Sequence, residues 1–308
     1  MIEIKAKLLN ILLSPDSKTA LTFDKESASL VDQEQRHFYR IEEGVPVLLP
    51  ENAREKVLQA EQHVRENTSF RYVDHYQVDA EAFDYYEAFE DAASIHATRR
   101  LHEAILAEIP RGARNVLDVG CGNAWVAQSL CPKGVEVYSL DVSTVNPVKA
   151  LKKHPFDNHY AITGDVYALP IKPDTFDCII AAEIIEHVPD PRKFIDCLIQ
   201  VLRPGGSLVI STPYNEKLKY SLCIHCNRPT PENAHIHSFD EKKILSLVPP
   251  GQAESAITYA FANKALIMLR THVLLKSLNF RLWRLVDKLS NKILNKPSRL
   301  LLKVIKST

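Results

Sequence analysis

Between residues 115 and 212, short β-branched runs alternate with helical stretches, and nothing else in this chain of 308 residues narrows the fold as far. Strand-length apolar runs stand at Asn115–Val119, Glu136–Asp141, His159–Thr163, Phe176–Ala182 and Ser207–Thr212, and helical patterns begin near Trp125, Val145 and Pro191. Strands that alternate with helices connect as βαβ units and lie parallel, so an α/β, Rossmann-like doubly wound sheet is expected. Ligands of such sheets bind outside the carboxyl ends of the strands. The first strand leads straight there: Asn115-Val-Leu-Asp-Val is followed by Gly120-Cys-Gly122 and then by the helix that opens at Trp125. The two glycines permit positive φ and a close approach of a ligand to the main chain. The helix beyond them turns unpaired N–H groups and its positive dipole end towards the same spot.

A glycine turn by itself is shared by several nucleotide folds. The dinucleotide fingerprint places a third glycine three positions after the second. That position here is Trp125, whose indole argues against NAD or FAD. Acidic residues recur at the strand ends: Asp118 before the glycines, Asp141 at the end of the second strand, Asp165 in Gly164-Asp-Val166 after the third, and Glu183 after the fourth. Glu186-His187 follows closely, and Leu202-Arg-Pro-Gly-Gly206 introduces the fifth strand.

This ordered set resembles the class I S-adenosylmethionine-dependent methyltransferases, the group marked by VLDVGCG, GDxxxLP, FDxIxxxxxxEH and LRPGG, over roughly residues 80–213. The resemblance implies a seven-stranded methyltransferase-type sheet, methyltransferase activity and S-adenosylmethionine as cofactor. It implies that Gly120, Cys121 and Gly122 pass close to the methionine portion and that Asp118 meets its ammonium, directly or through water. Asp141, with Val142, would take the two ribose hydroxyls, which suit a carboxylate with two acceptor oxygens. Asp165 would accept from the adenine amine, Val166 would pack on the ring, and Glu183 completes the cofactor-binding set. Glu186 and His187 fall where the family's acceptor pocket opens. His187 titrates in a range suited to base work; a loop-capping role for the Glu-His pair is the other reading. The chain departs from the pattern at Ala124, where the family has a third glycine. It also has Ala181-Ala-Glu-Ile where an NPPY-type tetrapeptide would follow the fourth strand, so the family pattern argues against methylation of a base or a glutamine amide. The expected acceptor is a small molecule, or a lipid-linked or glycan group. The alternative is a non-catalytic scaffold or regulatory subunit that keeps the fold.

Residues 1–50 read as a small β-rich module and 51–308 as the methyltransferase domain with leading helices. The module resembles the zinc-ribbon unit often found with methyltransferases, but Ser14, Ser17, Asp32 and Gln35 stand roughly where its thiols would be. Hydroxyl and amide groups are poor zinc ligands, so a metal-free remnant is expected there, with a plain β-hairpin as the other reading. The run FDYYEAFED is expected at the mouth of the crevice. An insert at 214–239 carries Cys223-Ile-His-Cys226 and His235-Ile-His237. One CxxC pair with nearby imidazoles could hold a structural Zn²⁺, or Cys223 and Cys226 could be reduced thiols with His235 or His237 serving the acceptor pocket.

Hydrophobic residues make up 45% of the chain and charged ones 25%, as in an ordinary globular protein. The net charge of zero hides an asymmetry: from residue 260 onward there are eleven Lys/Arg against Asp287 alone. The basic helical insert, about 262–298, could pack on the sheet with its charges in water, lie on an anionic membrane surface, or, less favoured, contact nucleic acid. No charged-then-apolar leader and no run of about eighteen apolar residues is visible, so a cytoplasmic location is the expectation, with peripheral membrane contact through the basic region left open. LLLKVI near the C-terminus reads as an edge strand.

Overall fold

The computed structural model describes residues 4–51, 71–87, 91–224 and 227–308. A short helix, α1 (Ala6–Leu9), precedes a four-stranded meander: β1 (Leu21–Asp24), β2 (Ser29–Asp32), β3 (Phe38–Glu42) and β4 (Val45–Leu48). Helices α2 (Tyr72–Ala82) and α3 (Ala92–Leu106) then lead into the alternating region. There β5 (Asn115–Val119), α4 (Trp125–Leu130), β6 (Glu136–Asp141), α5 (Val145–Lys153), β7 (His159–Gly164), β8 (Phe176–Ala182), α6 (Pro191–Val201) and β9 (Leu202–Pro213) follow in turn. A hairpin of β10 (Tyr220–Leu222) and β11 (Pro229–Pro231), then α7 (Glu241–Leu245), leads to β12 (Ala253–Asn263). Three helices, α8 (Lys264–Met268), α9 (His272–Leu275) and α10 (Phe280–Ile293), precede the last strand, β13 (Pro297–Lys306).

Among the described residues, eleven strands share one sheet in the order β1-β2-β3-β4-β7-β6-β5-β8-β9-β13-β12. The strands from β7 to β9 are parallel, and strand order reverses at β5, where β6 lies on one side and β8 on the other. Val119 is level with Ala181, so the glycine turn and Glu183 leave the sheet side by side at the switch point. Alternate residues of each strand feed two apolar layers. Leu117, Ile179 and Leu208 belong to one, and Val116, Ile180 and Val209 to the other.

Two features differ from the sequence reading. β13 is not an edge strand: it runs antiparallel between β9 and β12, and β12 forms the edge. Leu300, Leu301 and Leu302 are all fully buried, so the unbroken apolar run has a covered layer on each face, as a central strand requires. The first fifty residues are also continuous with the main sheet, because β4 pairs in parallel with β7, Val47 opposite Thr163.

In that module Ser14, Ser17, Asp32 and Gln35 are tied into a polar net. Ser14 Oγ lies 2.8 Å from Tyr39 Oη and accepts from the Ser17 amide, and the Ser17 side chain hydrogen-bonds Asp32. Gln35, at φ +55°, donates its amide to the Asp32 carbonyl. The Asp32 carboxylate accepts from the Arg36 and His37 amides and lies 2.8 Å from His37 Nδ1. Burial works to raise the carboxyl's pKa, yet these bonds, led by His37, hold it below the usual carboxylate range, and the same contact raises that of the imidazole.

Candidate functional site

A cavity of about 1360 Å³ opens at the carboxyl ends of β5, β6, β7 and β8. One end is made by the glycine turn. The amides of Gly120 and Cys121 both donate to the Leu140 carbonyl, which fastens the turn to β6. Gly120 has φ +68°, and a Cβ there would lie 2.3 Å from Ile184 Cδ1, so both conformation and space demand glycine. Gly122 has φ +46° with only Tyr85 nearby, so there the demand is conformational. Ala124 also adopts the left-handed conformation, φ +52°, and is fully buried where it opens α4.

Two buried carboxylates face this turn. Asp118, 2% exposed, stands behind the cavity wall, and among the described residues its Oδ2 has no hydrogen-bond partner. Burial, and then the neighbouring Asp141, push its pKa well above the usual range. A bare buried oxygen of this kind fits a cationic group, which would restore the ionised form. Asp141 accepts from the Ser143 amide at 2.9 Å, from Asn146 Nδ2 at 3.1 Å and from the Gly122 amide at 3.4 Å. Burial still raises its pKa against those bonds; the Asn146 and Gly122 bonds both fall on Oδ2, so Oδ1, which takes the Ser143 bond, is the freer oxygen for a hydroxyl donor. Cys121 and Val142 line the cavity beside it, and burial keeps the Cys121 thiol protonated. Asp165 is buried and caps the turn after β7 by accepting from the Tyr167 amide; Val166 and Tyr167, not Asp165, are in the wall. These residues fit S-adenosylmethionine: a cradle without side chains, an unpaired acid for the ammonium and a second acid for a diol.

The opposite end is assembled from distant segments. Glu183 sits at φ +57°, a strained conformation for a non-glycine residue of the kind that gathers at working sites. Its carboxylate accepts from Ser211 Oγ and pairs with Arg299 Nε, each at 3.0 Å. Burial raises its pKa, and Arg299 opposes that rise. His187 lines the cavity, whereas Glu186 stands behind the wall, 1% exposed, with Oε2 accepting from Thr212 Oγ1 and Oε1 without a hydrogen-bond partner. Burial, then Glu183, push the Glu186 pKa well up. His187 Nδ1 lies 3.2 Å from the Ala234 carbonyl. A carbonyl only accepts, so this contact assigns the proton to Nδ1 and leaves the Nε2 lone pair, 3.9 Å from Glu186 Oε1, free to take one. Burial, then His235, lower the His187 pKa to about 4, so the ring is neutral at physiological pH.

His235 stacks edge-on against His187 at 4.8 Å and binds Glu216 through Nδ1, while His237 turns its Nε2 to the Val188 carbonyl at 3.0 Å. The two imidazoles of the insert therefore engage different partners. Cys223 is in the β10–β11 hairpin, and Cys226 lies outside the described residues. Among the described residues, the set with metal-ligand spacing is Glu186, His187 and His235, whose ligand atoms lie within 4.8 Å of one another and could hold a divalent cation.

Aromatic residues close the space between the two ends. Phe83, Tyr85 and Tyr86 of the FDYYEAFED run line it, as do Tyr72 and Tyr76 of α2; Ala88, Phe89 and Glu90 lie outside the described residues. Tyr76 meets His187 edge-on at 5.9 Å, and Trp125 stacks on His102 at 3.8 Å. Arg299 and the α2 tyrosines line the cavity, and the sequence reading did not place them there. Arg299 had merged into the basic tail, and no local pattern ties it to Glu183.

A family model described as a methyltransferase domain matches residues 38–248. The ubiquinone biosynthesis O-methyltransferase of Colwellia psychrerythraea is 31% identical over 141 residues, 44% of this chain and 51% of its own length. The human mitochondrial enzyme of that name is 35% identical over 115 residues, 35% of this chain and 31% of its own. The chain thus spans about half or less of these curated relatives. The solved [4+2]-cyclase SpnF is 16% identical, with TM-score 0.52 over 78% of this chain and 97% of its own. A putative methyltransferase of Haloferax volcanii, solved with the Trm112 activator, has TM-score 0.50 and 15% identity over 78% of this chain and 100% of its own. These two likenesses show the fold alone, and a fold shared with a cyclase does not fix the chemistry.

Proposed function

Because the chain belongs to the methyltransferase family and is an S-adenosylmethionine-dependent enzyme, we propose that it methylates a hydroxyl of a small, largely apolar acceptor. The observation that carries this reading is the tautomer of His187: with Nδ1–H given to the Ala234 carbonyl, a neutral Nε2 is left at the cavity wall. A hydroxyl must lose a proton as it is methylated, and a positioned neutral imidazole takes it. The imidazolium so formed lies 3.9 Å from Glu186 Oε1, and its charge works against the burial that raises the pKa of that carboxyl. Bound S-adenosylmethionine supplies an electrophilic methyl group on a sulfonium. Glu183, held by Ser211 and Arg299, orients the acceptor's polar end, and the tyrosine wall packs its apolar body and excludes water. The O-methyltransferase names of the two relatives support the choice of a hydroxyl.

The test is transfer of labelled methyl from S-adenosylmethionine to a panel of phenols, catechols, carboxylic acids and amines. Product from catechols or phenols, lost in His187→Asn, supports the reading; product from amines alone rejects it. A second reading, favoured by the close approach of Glu186, His187 and His235, puts a divalent cation there to acidify the hydroxyl. In that case a chelator abolishes turnover and added metal restores it, while cofactor affinity stays the same.

A further inference from the structure

Helix α10 turns its most apolar side away from the protein. Trp283 and Asp287 form its buried face. Leu282, Leu285, Leu289 and Ile293, spaced at three and four residues, form a ridge that is 50%, 54%, 50% and 88% exposed. Arg281, Arg284, Lys288 and Lys292 follow the same spacing along one flank. Arg284 is drawn over the Tyr259 ring and towards Glu108, but Arg281, Lys288 and Lys292 make no ion pair among the described residues. The single acid from residue 260 onward, Asp287, is turned inward, where it accepts from the amides of Ala262 and Asn263. Met268, Leu269, Val273 and Leu274 of the two preceding helices and the turn between them are exposed as well.

An apolar ridge beside cations without an ion pair among the described residues, with no exposed acid from residue 260 onward, is complementary to an anionic lipid surface. The helix cannot cross a bilayer: its 14 residues reach about 21 Å, short of a hydrocarbon core of about 30 Å. We propose that α10 is a bilayer-docking helix, lying flat on anionic lipid with Leu282, Leu285, Leu289 and Ile293 in the acyl boundary and Arg281, Lys288 and Lys292 among the headgroup phosphates.

The seat of this helix couples it to the cavity. The guanidinium of Arg100, on α3, packs over the Trp283 ring and donates to the Leu275 and Leu278 carbonyls, and Arg99 donates to the Lys276 carbonyl. On its next face the same helix contributes Ile95, Thr98, His102 and Leu106 to the cavity wall. Docking therefore leaves only α10, a helix diameter of roughly 10 Å, between the lipid and the helix that forms one wall of the cavity.

Co-sedimentation of the whole chain with vesicles of phosphatidylcholine alone, and of phosphatidylcholine and phosphatidylglycerol in equal parts, tests the assignment. Binding is expected only to the anionic vesicles and weakens in high salt. Lys288→Glu with Lys292→Glu lowers partitioning roughly five-hundredfold, since each basic residue near such a surface counts for about a factor of five and reversing two of them changes four charges. Leu285→Asn with Leu289→Asn lowers it by roughly tenfold or more. Both variants keep wild-type affinity for S-adenosylmethionine by calorimetry, because none of these residues lines the cavity, and this shows that they are folded. Equal binding to both vesicles, or to neither, overturns the proposal. So does loss of binding with the charge variant but not the leucine variant, which would mark a purely electrostatic partner such as duplex DNA. A dimer in sedimentation equilibrium that the leucine variant dissolves, without vesicle binding, assigns the ridge to a second copy and also overturns it.

Discussion

The two ends of the cavity are built in opposite ways. The end proposed for the cofactor comes almost entirely from one turn, Val119 to Gly122, with Asp141 from the neighbouring strand and Asp118 buried behind the turn. The end proposed for the acceptor draws Glu183 and His187 from the loop after β8, Asn233 and Ala234 from the insert, with His235 behind them against His187, Arg299 from β13 and Tyr76 from α2. Backbone geometry does most of the work at the first end, through positive φ and the absence of side chains. Side-chain contacts between remote segments do it at the second. A local turn can thus serve many acceptors unchanged, while the assembled end is where a new specificity is set.

The sharpest break in this comparison is His187→Asn. It removes the base, so kcat should fall about 10²- to 10⁴-fold while the affinity for S-adenosylmethionine, measured by calorimetry, stays within about twofold. A parallel loss of cofactor affinity would mean that the two ends are not separable. The wild-type profile adds a sign. A base whose pKa lies at about 4 is active when neutral, so kcat/KM should be level through neutrality and decline as pH falls towards 4, and the variant should lack that limb.

Gly120→Ala should act on the other end alone. Its methyl meets Ile184 and the backbone is at φ +68°, which together cost about 3 kcal/mol or somewhat more, a drop of roughly a hundredfold in cofactor affinity by calorimetry. Wild-type affinity in a folded variant would show that the turn rearranges freely. Arg299→Ala should do less. Glu183 keeps Ser211 but loses its ion pair, for about tenfold in the acceptor KM with cofactor binding intact. A change in cofactor affinity instead would assign Glu183 to the first end, where the family pattern puts it.

Ala124→Gly is the smallest. Relief of the left-handed conformation, about 1 kcal/mol, is offset by the loss of one buried methyl group of about 0.8 kcal/mol, so thermal stability and cofactor affinity should both stay close to wild type. A tenfold gain in affinity would reveal that the alanine distorts the cradle.

The same contrast explains what the sequence disclosed. Helix starts at Trp125, Val145 and Pro191 stand where apolar periodicity and Gly or Pro punctuation put them, because those signals are local. The glycine turn and its acids were legible for the same reason, and their order along the chain matched a known pattern. Arg299 was not, since a single arginine before a leucine run says nothing about a glutamate more than a hundred residues earlier. Its strand was misplaced at the edge because LLLKVI is apolar on both faces, and which neighbour covers each face is decided by the tertiary fold. Spacing left the Cys223–His237 insert open between a zinc site and reduced thiols with His235 or His237 serving the pocket; that His235 meets His187 while His237 turns to the Val188 carbonyl is set by how the loop folds back after β8.

The polar net of the first fifty residues bears on how this protein meets its surroundings. A knuckle tied by Asp32 and His37 answers to acidity where a zinc knuckle answers to metal supply. The lowered carboxyl contributes stability above its unfolded pKa, and that share is lost as pH falls through the folded value. The raised imidazole contributes below its unfolded pKa of about 6.5, and that share is lost as pH rises through the folded value. Protection factors of the amides around β2 and β3, taken relative to the intrinsic rate at each pH, should accordingly be highest in mildly acid solution, between about pH 4 and 6.5, and fall in alkali. Starvation for zinc should leave them unchanged.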